Sequence, residues 1–215
     1  MDAPADAVFA FLSILAALAV GAASPGPSFV VVARTAIAVS RRNGVAAALG
    51  MGFGGVVFAA LALLGLHAAL AQVGWLYLAL KLAGGAYLLY LAYRLWQGAA
   101  QPIVVAESGE RAAGGFGRSL LFGLATQLSN PKTAIVYGSI FAALLPEHPP
   151  LWVVLALPPL VFLIEAGWYT VVAVAFSADR PRAAYLRSKT WIDRLAGAVM
   201  GALGARLVTE AVPPG

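Results

Sequence analysis

The sequence predicts an all-α membrane protein with several spanning helices, and two observations carry this prediction. Of the 215 residues, 61% are apolar and 11% are charged, against roughly 25% charged residues in soluble domains. Charged residues are absent between Asp6 and Arg34 and between Arg42 and Lys81, and each interval exceeds the roughly 20 apolar residues that cross a bilayer. A disulfide-stapled secreted scaffold is excluded because the chain contains no cysteine.

Apolar runs separated by polar breaks predict six transmembrane helices. The first run follows Asp2 and Asp6 instead of Lys or Arg, and it is too long for a secretory signal, so we expect a retained first span. Pro146 and Pro150 separate the fourth run from the fifth, because proline does not continue a helix. The six predicted spans lie near residues 8–33, 46–70, 74–96, 119–145, 151–176 and 192–209.

The basic residues predict the orientation of these spans. Three, three and five Lys or Arg residues lie in the first, third and fifth connections, which makes eleven of the fourteen in the chain. Because such residues accumulate in cytoplasmic loops, we place these connections inside and both termini outside. The densest basic run, Arg180 to Arg194, is interpreted as a juxtamembrane loop attracted to anionic lipid. It does not indicate nucleic acid as a partner, since no groove-reading or stacking module accompanies it.

An internal repeat is predicted from two pairs of matching segments. Lys81-Leu82-Ala83-Gly84 in the third span resembles Arg194-Leu195-Ala196-Gly197 in the sixth. The first span of each half also contains a proline break, Ser24-Pro25-Gly26-Pro27 in one and Ser129-Asn130-Pro131-Lys132 in the other. Repeats of three helices each must cross the bilayer in opposite directions, which is the inverted-repeat plan of many secondary transporters.

The repeat predicts a single transmembrane domain, residues 1–215, built from two halves. The halves are residues 1–97 and 116–215. A segment rich in Gly and Ala, residues 98–115, is expected to form a flexible cytoplasmic linker between them.

The two proline breaks are predicted to form a binding site. Proline removes a hydrogen-bond donor from a helix and clashes with the carbonyl four residues earlier. In hydrocarbon the freed backbone groups must bond to protein or line a wet cavity. A kink is the simpler interpretation of one proline, whereas matching breaks in both halves favour a site. The exposed N–H groups and the positive end of the helix dipole suit a carboxylate.

Two charges near the bilayer centre extend this hypothesis. Lys132 lies mid-way along the fourth span and Glu165 mid-way along the fifth, and each costs roughly 2.5 to 3.5 kcal/mol there, so such residues indicate function by default. The alternative is a structural salt bridge between them. Together they fit a zwitterion, with its anionic end at Lys132 and its ammonium at Glu165. Glu165 is also the best candidate for a proton carrier, and Lys81 is either a substrate contact or a snorkelling residue.

The predicted site therefore serves substrate binding, with Glu165 also assigned to ion coupling, and we expect no cofactor. An intramembrane enzyme needs a nucleophile with a base or a metal pair, and the spans offer neither. A metal site is not expected, because Glu165 is the single acid deep in any span. A purely structural subunit has little reason to retain charges at mid-membrane. The predicted substrate-binding residues are Ser24, Pro25, Gly26, Pro27, Ser28, Asn130, Pro131, Lys132, Glu165 and Lys81.

Five segments along nearly the whole chain resemble those of one family. They are Ser24-Pro25-Gly26-Pro27, Arg41-Arg42-Asn43-Gly44, the run from Lys81 to Leu88, Asn130-Pro131-Lys132, and the run from Trp191 to Gly197. Together they resemble the LysE/RhtB family of bacterial amino-acid exporters, the LysE-type translocators. Members often carry Asn or Asp directly after Pro-Gly-Pro, where this chain has Ser28, so their substrate and ion-coupling scheme need not be shared.

The resemblance implies a secondary active exporter of amino acids or related small zwitterionic metabolites from the cytoplasm. It implies coupling to a proton or sodium gradient, a multi-pass location in the bacterial inner membrane, and association of the protein with itself. Efflux of an inorganic cation, which the wider superfamily also includes, is the alternative.

Overall fold

The computed structural model describes residues 3–72, 74–101, 115–146 and 148–211, and the regular secondary structure within these ranges is all α-helical. This confirms the all-α class for that part of the chain. Three of the described helices contain segments long and apolar enough to cross a membrane: Asp6–Ala23, Arg41–Gly65 and Leu151–Phe176. The helices are α1 (Ala3–Ala23), α2 (Pro27–Ala38), α3 (Arg41–Gln72), α4 (Gly74–Gly98), α5 (Phe116–Leu128), α6 (Pro131–Leu144), α7 (Leu151–Phe176) and α8 (Asp179–Ala211).

The predicted first and fourth spans are each divided into two helices beside a proline. The first changes from α1 to α2 across residues 24–26, and the fourth changes from α5 to α6 across residues 129–130. Pro27 and Pro131 begin the new helices, where the missing N–H costs nothing because the first N–H groups have no partner within the helix. The predicted proline breaks are therefore confirmed.

The fifth predicted span coincides with α7, but the basic segment that precedes the sixth span was predicted wrongly. Residues 180–194 were expected to form a loop, and instead they belong to α8, which begins at Asp179. Arg, Lys, Ala and Leu are good helix formers, and Pro181 lies in the first turn, where proline is tolerated. The helix therefore extends beyond the apolar span. Of the predicted linker, residues 102–114 lie outside the described residues.

Glycines bring the backbones of neighbouring helices into direct contact. A β-carbon at Gly50 of α3 would lie 2.1 Å from the carbonyl oxygen of Leu120 in α5, and one at Gly123 of α5 would lie 2.2 Å from that of Ala47. Because small residues let membrane helices approach closely, α5 packs tightly on α3. This contact fixes the position of the α5 end that reaches the second break.

Candidate functional site

The end of α1 and the start of α6 meet through Lys132. Its ammonium nitrogen donates to the carbonyl oxygen and to the hydroxyl of Ser24, both at 3.2 Å. Ser24 directly follows the last residue of α1, and carbonyls at a helix C-terminus lack partners within the helix and carry partial negative charge. Lys132 at the start of α6 therefore donates to a carbonyl oxygen at the C-terminal end of α1, in the other break.

The two breaks are also joined by Asn130. Its side-chain oxygen accepts from the backbone N–H of Lys132 at 3.0 Å, which caps the N-terminus of α6. Its side-chain nitrogen donates to the hydroxyl of Ser28 at 3.0 Å. The corresponding residue before α2 is Gly26, which has no side chain with which to cap that helix. The N-terminus of α2 thus differs from that of α6 in lacking a side-chain cap.

A buried chain of hydrogen bonds leads from the breaks to Glu165 of α7. The hydroxyl of Ser28 donates to the side-chain oxygen of Gln127 at 2.6 Å, and the Gln127 amide nitrogen donates to Glu165 Oε2 at 3.2 Å. The hydroxyl of Tyr137 donates to Glu165 Oε1 at 2.9 Å. Each carboxyl oxygen of Glu165 therefore accepts one hydrogen bond from a neutral group. Glu165 as a whole residue is 3% exposed. A network of this kind holds the carboxyl group in one orientation.

Lys132 and Glu165 face the same small cavity without pairing. Lys132 bonds to Ser24, while Glu165 bonds to Gln127 and Tyr137, so the salt bridge considered as the alternative is not formed between these two described residues. The space open to the centre of a water molecule is about 20 Å³, which is room for one water. Lining residues are Leu18, Gly21, Ala22, Ser24, Gly26, Ser28, Asn130, Lys132, Thr133, Val136, Tyr137, Glu165 and Tyr169.

A larger, open groove lies on the other side of Gly26 and Lys132, which line both spaces. Its volume is about 420 Å³, within the size range of small-molecule sites. A β-carbon at Gly26 would lie 3.4 Å from both Cδ and Nζ of Lys132, so the two residues are in close contact. Gly26 and Lys132 form the partition between the groove and the buried cavity. The groove is lined by Pro25, Gly26, Pro27, Val30, Tyr90, Leu91, Arg94, Leu95, Gly98, Gln101, Lys132, Lys189 and Asp193.

The structure brings most of the predicted site residues together. Pro25 and Pro27 line the groove, while Pro131 begins α6 and lines neither space. Lys81 lies in α4, and its side chain lies outside the described part of the structure. Six of the ten predicted residues line the buried cavity: Ser24, Gly26, Ser28, Asn130, Lys132 and Glu165. That any of the ten binds a substrate stays a prediction.

Sequence reasoning missed three polar residues of the cavity network. Gln127 lies three positions before Asn130, and Tyr137 lies one helical turn beyond Thr133, so Tyr137 and Thr133 share a face of α6. Tyr169 lies one turn beyond Glu165 on α7. The available signal was the spacing of these three residues by three or four positions from other polar residues within apolar spans.

The donor set does not suit a metal ion. Among residues 3–72, 74–101, 115–146 and 148–211, no group of three or more His, Asp or Glu is placed to hold one. The cavity instead offers one ammonium, one carboxyl group, hydroxyls and amides. These groups can bind a small organic molecule that carries one positive and one negative charge.

Comparison with known proteins identifies the family of the chain. The family model described as LysE type translocator matches residues 19–211. The chain is 34% identical to the threonine efflux protein of Escherichia coli strain K12 over 92% of this chain and 97% of that protein. It is 36% identical to the threonine efflux protein of Salmonella typhi over 86% of this chain and 90% of that one.

No solved structure matches the chain. The family match nevertheless spans the breaks, Lys132, Glu165 and the groove, which confirms the predicted resemblance. The chain belongs to the LysE type translocator family, and it is a membrane transporter and not an enzyme.

Proposed function

We propose that this protein is a secondary active exporter that carries amino acids or related small zwitterionic metabolites out of the cytoplasm. One observation carries the proposal. Lys132 and Glu165 line one cavity at two helix breaks, and each is bonded to neutral groups instead of to the other. Two threonine efflux proteins among the relatives make L-threonine the first substrate to test.

The cavity offers a partner for each end of an amino acid. The carboxylate competes with Ser24 for Lys132 and approaches the start of α2, where no side chain caps the helix. The ammonium replaces Tyr137 or Gln127 as a donor to Glu165. A cavity with room for one water does not admit an amino acid, so entry requires movement at the partition formed by Gly26 and Lys132.

The proposed topology has six spans in two inverted halves, with both termini outside the bacterial inner membrane. In it α1 with α2, and α5 with α6, are the broken first spans of the halves 1–97 and 116–215, and the linker 98–115 is cytoplasmic. The packing supports a two-fold relation between the halves, because α3 contacts α5 as α7 contacts α1, and α3 contacts α6 as α7 contacts α2.

Glu165 is the proposed coupling residue, with the proton as the coupling ion. Its carboxyl group is buried, and both of its oxygens accept from neutral donors, so binding a proton removes a charge from the interior. An arriving ammonium favours the charged carboxylate again. Substrate and proton thereby compete for one group, which is the requirement for exchanging them across the membrane. Sodium is the alternative ion.

Counterflow in proteoliposomes tests the function. Vesicles are loaded with unlabelled L-threonine, and entry of labelled L-threonine and of a panel of other amino acids is measured with and without a pH gradient. We expect saturable entry of at least one amino acid, driven further by a proton gradient and insensitive to sodium. Absence of entry for the whole panel, together with transport of a metal ion, contradicts the proposal.

A further inference from the structure

Lys189 of α8 holds the end of α4 and uses all of its hydrogen-bonding capacity to do so. Its ammonium donates to the carbonyl oxygens of Gly98 at 2.9 Å and of Ala99 at 3.3 Å, and to Asp193 Oδ2 at 2.6 Å. An ammonium has three donors, so each is occupied. Lys189 is therefore a structural tie between α4 and α8.

The other carboxyl oxygen of Asp193 has no partner. Asp193 Oδ1 is buried and accepts no hydrogen bond, and the side chain as a whole is 4% exposed. Lys189 cannot turn to it without releasing Oδ2 or a carbonyl group. Buried carboxylate oxygens are normally bonded, so a tie between two helices does not explain the unpaired oxygen.

Asp193 is one of the residues that line the 420 Å³ groove. Of the described residues that line the groove, Asp193 is the single acid, and the bases are Arg94, Lys132 and Lys189. Lys189 is already saturated, which leaves Lys132 and Arg94 as cations available to an anionic group. The residues that line the groove thus include one acid with an unpaired carboxyl oxygen and two cations, around a volume suited to a small molecule.

We propose that the carboxylate of Asp193 binds the ammonium group of the substrate in the groove, a binding site that the substrate occupies before the buried cavity. The inference rests on the proposed function and deepens it. With its ammonium at Asp193, the substrate directs its carboxylate to Lys132 at the partition. Movement of Lys132 away from Ser24 then carries the carboxylate toward the cavity, where Glu165 receives the ammonium in turn. The groove residue and the cavity residue bind the same group in succession.

Transport kinetics of D193N test the proposal. Asparagine retains an oxygen for Lys189 but lacks the charge that binds an ammonium. We expect the half-saturating concentration of L-threonine on the groove side to rise about tenfold, the loss of one charge-assisted hydrogen bond, with a smaller change in the maximal rate. D6N, at an exposed position of α1, is the matched control and should leave both values unchanged.

A thiol introduced into the groove reports binding without transport. The chain has no cysteine of its own, so V30C provides a single thiol in the groove wall. In detergent, L-threonine should slow alkylation of V30C by N-ethylmaleimide, whereas N-acetyl-L-threonine, which lacks the ammonium, should not. Adding D193N should abolish the protection at the same L-threonine concentration.

The outcomes separate this proposal from the function on which it rests. Export of L-threonine by the wild type, with an unchanged half-saturating concentration in D193N and undiminished protection of V30C, overturns the role of Asp193 and leaves the exporter intact. Equal protection by N-acetyl-L-threonine also overturns it. Absence of transport and of protection for every amino acid in the panel overturns both proposals.

Discussion

The two helix breaks have similar sequences, but the new helices that follow them differ in their N-terminal caps and in the charge of their first turns. At the second break, Asn130 caps the new helix, and the first turn carries the cation Lys132. At the first break, Gly26 leaves the new helix without a side-chain cap, and the first turn carries the neutral Ser28. Lys132 then reaches across to the carbonyl of Ser24. The helix that starts at the second break is therefore capped by its own residues, whereas the helix that starts at the first break has no side-chain cap.

Removing the cation should have the largest effect on this arrangement. K132M leaves the cavity without a partner for a carboxylate and leaves the Ser24 carbonyl unbonded, so we expect counterflow of amino acid to fall by about 30-fold or more. R187M, at an exposed position of α8, is the control and should retain the wild-type rate. Counterflow by K132M above a third of the wild-type rate contradicts the assignment.

Neutralising Glu165 should allow exchange of amino acids to continue but should abolish its acceleration by a proton gradient. E165Q keeps acceptor capacity toward Tyr137 but cannot bind or release a proton, so a pH gradient should no longer accelerate transport. Exchange between equal amino-acid concentrations should persist at a reduced rate, about tenfold lower for the loss of one charged partner. D6N is the control. The same acceleration by a pH gradient in E165Q and in the wild type would show that the proton carrier lies elsewhere.

Removing the side-chain cap at the second break should lower the thermal stability of the protein. N130A removes the N-cap of α6 and the hydrogen bond to Ser28, and the loss of a cap costs about 1 kcal/mol. Thermal unfolding in detergent should therefore shift down by a few degrees. S129A changes the adjacent exposed residue and should melt with the wild type. A melting temperature unchanged in N130A means that the cap does not support this break.

The smallest effect on stability is expected at the first break. The backbone at Gly26 is extended, with φ of −157°, so alanine fits there, and its β-carbon would contact Lys132 at 3.4 Å. G26A should therefore melt within about a degree of the wild type but slow transport, because it restricts Lys132 at the partition. G50A makes the same chemical change where the β-carbon would lie 2.1 Å from Leu120 O, and it should destabilise strongly. Wild-type transport by G26A argues against movement at the partition.

Proline alone does not predict a break, as α7 shows. This helix continues from Leu151 to Phe176 through Pro158 and Pro159, whereas α1 and α5 end next to their prolines. The breaks differ from α7 in having Ser, Gly or Asn beside the proline, residues that favour turns and caps. The pattern Ser24-Pro25-Gly26-Pro27 therefore predicted a break more reliably than proline content did.

Features that follow from local rules could be predicted from the residues alone. Long apolar runs predicted helices, the turn residues beside proline predicted where two of them stop, and the position of Lys132 and Glu165 within apolar segments predicted two functional charges. The extent of α8 differs from the prediction, because residues 180–194 form a helix and not a loop. The helix propensity of their Arg and Lys residues is the local signal for this helix.

The partners of the polar groups, in contrast, depend on how the helices pack. The bond between Ser28 and Gln127 joins residues 99 positions apart, and the bonds from Lys132 to Ser24 join residues 108 positions apart. Such pairings depend on how α2, α5 and α6 pack, which glycine contacts such as that of Gly50 with α5 control. Local residue preferences act over one or two helical turns, so they place a charge in a span but cannot choose its partner.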